Sequence, residues 1–400
     1  MIQDGKRALA YIVEVDEIRP IEGYDRVEHA RTRGWWCVVK LGEMQVGDKA
    51  VYFEIDSKVP ENDERFSFLE SKHYKIKTQK MCKVYSQGLL MPLGMFPELK
   101  DKNVGDDVTD ILGITYAAAA DNARKSNHKD PNAKYNSMVS RNKKLFSKPF
   151  VKKLMRYKLG RKILFLFFGR KKDTPKTFPD HFRFVHKTDE ERIENRPELL
   201  GYPNPLVVTE KLDGTSATYI LERKKHNKFE FYVCSRNIRI EKPDTPTYHE
   251  TSCNSYPHDM NIYWEMAFKY DIENHLKQYL LRNQGLEYVC LQGEAVGNVQ
   301  GNPLKLKGND LYIFNFIRSD TGRSSSIVGK SIVESWGMKW VPILSLSYHM
   351  PNNMETFKEY ADAKSVVNRD VLREGIVLRD PETNLSFKNV SRKYLLKHGE

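Results

Sequence analysis

The sequence has no apolar run approaching the ~20 residues a membrane-spanning helix needs, so no membrane span is expected. Cysteine is scarce. The five present, at 37, 82, 234, 253 and 290, are scattered and odd in number. No Cys-x-x-Cys pair points to zinc, and no paired spacing points to a disulfide framework. A reducing, cytoplasmic setting is expected. The first eight residues are polar and charged, which argues against a secretory leader. Aromatic residues are not lacking: at 11%, with 30% charged, the composition is that of a globular chain rather than a disordered one. Its 400 residues are enough for two or three domains with their own cores.

Acid is missing in one place. Residues 141–172 hold thirteen Lys/Arg and no Asp/Glu, so the rest of this +12 chain carries a net −1. Phe150, Leu154, Tyr157, Ile163, Leu164, Phe167 and Phe168 interleave with the bases, and one or two short helices broken near Gly160 are expected. Three readings stay open: a phosphate-tracking arm, an amphipathic helix docked on the protein, and a helix lying on anionic lipid. Residues 117–134, alanine-rich and then polar, read as linker.

Ahead of this block, β-rich runs at 8–15, 35–39, 50–55, 74–77 and 88–92 are separated by turn material such as Arg-Pro-Ile-Glu-Gly (19–23). Short strands at such spacing predict a sandwich or barrel. A five-stranded OB barrel fits the size and offers a surface for single-stranded nucleic acid.

The most informative stretch is Lys211-Leu212-Asp213-Gly214, between apolar runs at 206–208 and 217–221. A lysine placed there can attack the α-phosphate of a nucleotide and expel pyrophosphate. Asp213 can help hold a metal, and Gly214 lets the backbone approach the nucleotide. The alternative is a solvated hairpin corner, since Asp-Gly favours turns. Companions follow in order: Cys-Ser-Arg-Asn (234–237), Gln-Gly-Glu-Ala-Val-Gly (292–297), Leu-Tyr-Ile-Phe-Asn-Phe (311–316), Arg-Glu-Gly-Ile-Val-Leu-Arg (373–379) and Ser-Phe-Lys-Asn-Val-Ser (386–391). Each sits on or beside a strand-like run.

This series, over residues 207–391, resembles the covalent nucleotidyltransferases, the superfamily of ATP-dependent ligases and capping enzymes. Residues 17–28, 58–61 and 86–93 resemble the N-terminal domain of the fifth RNA ligase family, which carries an OB domain before the transferase domain. Residues 184–197 resemble its lead-in. DNA ligases and capping guanylyltransferases carry an OB domain after the last motif. Here only twelve residues follow Lys388 and the OB candidate lies in front, which favours the RNA ligase.

The resemblance implies an α+β fold, with an N-terminal OB-type barrel (1–114), a basic linker or insertion (115–182) and an antiparallel-sheet nucleotidyltransferase domain (183–400). It implies ATP and Mg2+ (or Mn2+) as cofactors and RNA as the partner, in a nicked duplex with an RNA 3′-hydroxyl end. No obligate protein partner is evident. Lys211, Asp213, Glu374 and Lys388 are the expected catalytic residues. Lys211 must be a free amine, although an unperturbed lysine titrates near ~10.4; Lys388 and a cation would lower it. Asp213, Glu294 and Glu374 would hold a hydrated metal through water. Glu294 would also bind ribose, and Arg236 a phosphate or the RNA end.

Phe314 would stack on adenine, with Ile376 and Val377 as the opposite wall. Thr209 and Glu210 would read the adenine edge through backbone groups. Phe314 and Phe316 share strand parity, so both are expected on one face, as core or as platform. The last motif reads Ser386-Phe387-Lys388 where many ligases have Lys-x-Lys; Arg379 and Arg392 are the candidates to fill that place. The expected activity is ATP-dependent RNA ligation through lysyl-AMP and AMP-capped RNA, sealing nicks in RNA repair. The alternatives are a DNA ligase or capping-type transferase, and a non-catalytic RNA-end-binding protein.

Overall fold

The structure, a computed structural model, describes residues 2–3, 6–117, 148–155, 157, 164, 177–242, 247–250, 255–258, 261–383 and 385–398. It forms two compact units, Met1–Thr115 with Thr177–Glu400, and Tyr116–Lys176.

Six strands build the N-terminal core: β1 (Ala10–Glu14), β2 (Glu17–Ile21), β3 (Tyr24–Thr32), β4 (Trp35–Lys40), β5 (Lys49–Phe53) and β6 (Leu89–Pro92). They pair antiparallel in two sheets, ordered β6-β5-β1 and β2-β3-β4. Period-two alternation places them: Trp35, Cys37 and Val39 of β4 are buried, while Trp36 and Val38 lie on the other face, less buried. Two expectations fail here. Residues 19–23 are not all turn, because β2 runs through Pro20 to Ile21. β2 is an outer strand, where a proline lacking its N–H is tolerated. Residues 74–77 contribute only an isolated bridge, Lys75 to Lys58; the strand begins at Thr78. β3 escaped sequence reading because its inward positions are Glu28, Ala30 and Thr32 rather than large apolar residues.

In the second unit, Pro149–Met155 is helical (α1). The remainder of the expected basic helical block lies outside the described residues, apart from residues 148, 157 and 164.

The C-terminal elements are β7 (Glu191–Arg192), β8 (Leu206–Lys211), β9 (Thr215–Arg223), β10 (Phe229–Ser235), α2 (Ile262–Lys269), α3 (Ile272–Arg282), β11 (Tyr288–Val296), β12 (Asp310–Arg318), α4 (Ser326–Ser335), β13 (Ile343–Tyr348), α5 (Met354–Ala361), β14 (Gly375–Arg379), β15 (Ser386–Val390) and α6 (Arg392–His398). One sheet runs β7-β15-β14-β8-β13 and the other begins β10-β9-β11-β12. Pairing is antiparallel except for β7 with β15 and a short strand, Lys339–Trp340, with β12. The chain crosses from the first sheet to the second at Leu212–Gly214, so the Lys-Leu-Asp-Gly corner joins the two. Parity divides the first sheet. Leu206, Val208, Ile376, Leu378 and Phe387 face an apolar core with Phe357 of α5. The paired set Thr209, Val377 and Lys388 faces the other way.

The N-terminal core is continuous with this domain. Val390 and Leu395 belong to the same apolar cluster as Tyr11, Trp35 and Tyr52. Asn195 accepts from Trp35 Nε1 at 2.6 Å and donates to Glu54 at 2.9 Å. Gly34 donates to the Glu194 carbonyl at 2.8 Å; a Cβ there would stand 2.5 Å from Glu194 Cα, so only glycine fits. Glu194 in turn is held by Lys358 at 2.5 Å, both side chains at most 2% exposed.

Candidate active site

A cavity of about 330 Å³ opens between the two C-terminal sheets, within the size range of small-ligand sites. Lys211 ends β8, and its Nζ donates to Glu374 Oε1 at 2.5 Å. Asp213, Gly214, Glu294, Arg236, Phe314, Glu374, Thr209, Glu210 and Lys388 all line the same cavity. Residues spread over 180 positions of sequence are thus brought together.

The electrostatics differ from the expectation for Lys211. Desolvation lowers its pKa, but the Glu374, Glu294 and Asp213 carboxylates outweigh this and raise it above the ordinary value. Without a ligand the lysine is an ammonium, and Lys388 does not change that. The opposite holds for Lys388. Burial, helped by Arg192, Arg7 and Lys211, brings it down to about 8 although Asp189 opposes the shift. Burial pushes Glu294 up to about 8, with Glu374 and Asp213 adding and Lys211 opposing. Burial also raises Glu374. Two acids held above their ordinary range, and the buried Oε2 of Glu374 with no hydrogen-bond partner, fit a cleft built to receive a cation. Among the described residues no three acidic, His or Cys side chains converge to grip a metal directly. A cation here would be held through water.

Several expected placements are corrected. Ile376 does not line the cavity. It is fully buried on the opposite face of β14, and its neighbour Val377 takes the cavity side. Glu210 lines the cavity while sharing Ile376's strand parity; its Oε2 accepts from Val366 N at 2.8 Å and its own N–H donates to the Pro342 carbonyl. Gly214 is required by the protein itself, since a Cβ there would lie 2.4 Å from the Ala295 carbonyl. Phe314 and Phe316 do not share a face. On β12, Asn315 pairs with Gln292 and Ile313 with Gly293, leaving Phe314 as the extra residue of a bulge. Phe314 therefore lines the cavity while Phe316 is wholly buried.

Arg379 lines the cavity and stands opposite Ser386 across β14–β15. It donates to the Phe314 carbonyl at 2.8 Å and lies 3.3 Å from Glu190. Arg392 is elsewhere, bound to Glu355 at 2.8 Å. Asp189 was missed by sequence reasoning. It accepts from Lys388 at 2.9 Å and from Arg236 at 2.7 Å, and these cations hold its carboxyl below the ordinary range despite burial. Its only sequence signal was its position in the lead-in segment 184–197.

Comparison with known proteins follows this geometry. A family model of an OB-fold domain matches residues 9–93, and the RNA ligase family model matches residues 204–397. The chain is similar to the solved structure of Naegleria gruberi RNA ligase with PPi: 30% identity, TM-score 0.71, covering 98% of this chain and 99% of that one. It is equally similar to a variant of that ligase with ATP and Mn, at 30% identity and TM-score 0.71, covering 98% and 100%. A variant with AMP and Mn matches at 30% identity and TM-score 0.70, covering 98% and 99%. No curated protein matches the chain.

Proposed function

The chain belongs to the RNA ligase family, and from that premise we propose that its cleft joins 5′-phosphate and 3′-hydroxyl RNA ends at the expense of ATP, sealing nicks whose 3′-hydroxyl strand is RNA. The observation that carries this reading is Lys211 at the corner between two sheets, ringed by Glu374, Glu294 and Asp213, with Lys388 and Arg236 across the same cavity.

In the first step Lys211 Nζ attacks the α-phosphate of ATP, forming the N–P bond of lysyl-AMP as pyrophosphate leaves. The proton must leave Nζ first. The carboxylates that raise its pKa would lose that influence if a cation neutralised them. A bound divalent cation supplies charge neutralisation at the phosphates; Asp213, Glu294 and Glu374 would hold its water shell. Lys388, with its lowered pKa, and Arg236 would bind phosphate oxygens, displacing the Asp189 carboxylate that now occupies them. Arg379 would fill the place of the first lysine of the last motif. In the second step AMP passes to the RNA 5′-phosphate. In the third a 3′-hydroxyl attacks that activated end and AMP leaves.

An A-form duplex is recognised by shape and 2′-hydroxyls, so no base-sequence preference is expected. A nicked duplex with RNA at the 3′-hydroxyl side should be sealed much faster than the same nick with DNA there; equal rates would sink this specificity. The proposed setting is cytoplasmic RNA repair.

Phe314 is proposed to stack on adenine, a contact worth ~1–3 kcal/mol. Phe314→Ala should raise KM for ATP about 10-fold, with a smaller drop in melting temperature than Phe316→Ala because Phe314 is only partly buried against the core. Phe316→Ala should do the reverse, costing about 3–5 kcal/mol of stability. Identical phenotypes would contradict the bulge.

A further inference from the structure

α6 contributes to the N-terminal core and is tied to both domains by polar contacts. Leu395, 1% exposed, packs in the N-terminal apolar cluster with Tyr11, Trp35 and Leu90. Arg392 donates to Glu355 at 2.8 Å and lies 4.6 Å from the centre of the Tyr85 ring. The start of the helix is pinned as well. Ser391 Oγ accepts from the Tyr394 N–H at 3.1 Å and donates to Asp362 at 2.6 Å.

Tyr394 projects from this fixed backbone towards the cleft. Its side chain is 2% exposed and its ring stacks on His398, with centroids 4.1 Å apart and planes 16° off parallel. Its hydroxyl donates to Asp213 Oδ2, across 181 residues of sequence. Among the described residues this is the one hydrogen bond made by the Asp213 side chain. A carboxylate at a strand-to-strand corner otherwise turns freely about its last side-chain torsion.

We propose that Tyr394 is a positioning residue for Asp213. The phenol fixes one carboxylate oxygen and leaves the other for the water shell of the cation. Because α6 is part of the N-terminal core, seating of the N-terminal domain sets the orientation of an active-site acid. A bond that only satisfied a buried phenol would leave cation binding untouched. Outer partners that orient metal-site ligands are typically worth ~10–100-fold in affinity or activity. The inference rests on the reading of Asp213 as a group serving the cation.

The test is Mn2+ binding to ATP-free protein, followed by the electron-spin resonance of free Mn2+. Wild type is compared with Tyr394→Phe, Asp213→Asn, the double variant and His398→Ala. Tyr394→Phe keeps the ring, so its unfolding midpoint without metal should match wild type. It should bind Mn2+ about 10-fold more weakly. In the Asp213→Asn background the same change should have no further effect, since the two groups act as one unit. His398→Ala removes the stack but keeps the hydroxyl, and should bind as wild type does. Wild-type affinity in Tyr394→Phe with weakened binding in Asp213→Asn overturns the positioning role alone. Equal weakening in His398→Ala assigns the effect to helix packing and also overturns it. Wild-type affinity in Asp213→Asn overturns the reading of Asp213, and the inference with it.

Discussion

Lys211→Ala is expected to leave no label on the protein after incubation with α-phosphate-labelled ATP and a divalent cation. Joining of 5′-phosphate RNA should fall by at least about 10³-fold, as when other covalent nucleophiles are removed. RNA that already carries AMP at its 5′ end should still be joined, because the lysine acts before that point. The physical basis is the position of Nζ, 2.5 Å from Glu374 at the corner between the sheets. No other lysine lining the cavity can take over: Lys388 is turned to Asp189. In the resting enzyme the neighbouring carboxylates hold the ammonium form. Glu374→Gln should therefore shift the pH profile of adenylation to lower pH even as it slows the reaction. Label persisting on Lys211→Ala would refute the covalent assignment. Loss of joining even with AMP-capped RNA would mean that the substitution damaged more than the nucleophile.

Glu294→Gln is expected to stabilise the metal-free protein above neutral pH while impairing ligation. In the folded protein Glu294 keeps its proton up to about 8, whereas in the unfolded chain it loses it near ~4.3. Between those values the native state holds the extra proton, so stability falls as pH rises. The contribution is complete below the unfolded value and is lost as pH passes through the folded one. Glutamine cannot ionise and escapes the loss. One unit is worth about 1.4 kcal/mol, and with solvent reaching the cleft we expect about 1–2 kcal/mol overall. For a chain of this size that is roughly 1–2.5 °C in Tm. Melting in the presence of a chelator should show no difference near pH 4 and a growing one through pH 8. Added Mg2+ or Mn2+ should restore much of the difference to wild type and little to the variant. A pH-independent difference would mean that Glu294 is not strained by burial.

Much of the site was legible because its residues sit at the ends of strand-like runs. Lys211, Asp213, Arg236, Glu294, Glu374 and Lys388 each follow or border an apolar stretch, and all reach one cavity. The errors share two physical origins. The first is parity. Counting in twos from Lys211 and across its pairing with Gly375 puts Val377 on the cleft face and Ile376 behind it. That reasoning was open to sequence once the register was known, but sequence gives no register. The second is irregularity: the bulge at Phe314 breaks the parity that would have grouped it with Phe316.

The sequence by itself determined the order of the domains, the candidate nucleophile and the set of acids and bases around it, because period-two strands carry those residues wherever the strands pair. Only the tertiary structure decided the states of those groups and their supports. Asp189 between Lys388 and Arg236, and Tyr394 on Asp213, are contacts across 47 to 199 residues. The protonation of Lys211 and Glu294 is a sum over charges brought close by folding and over water removed by burial. Both depend on distances in space, which a linear pattern of residues does not contain.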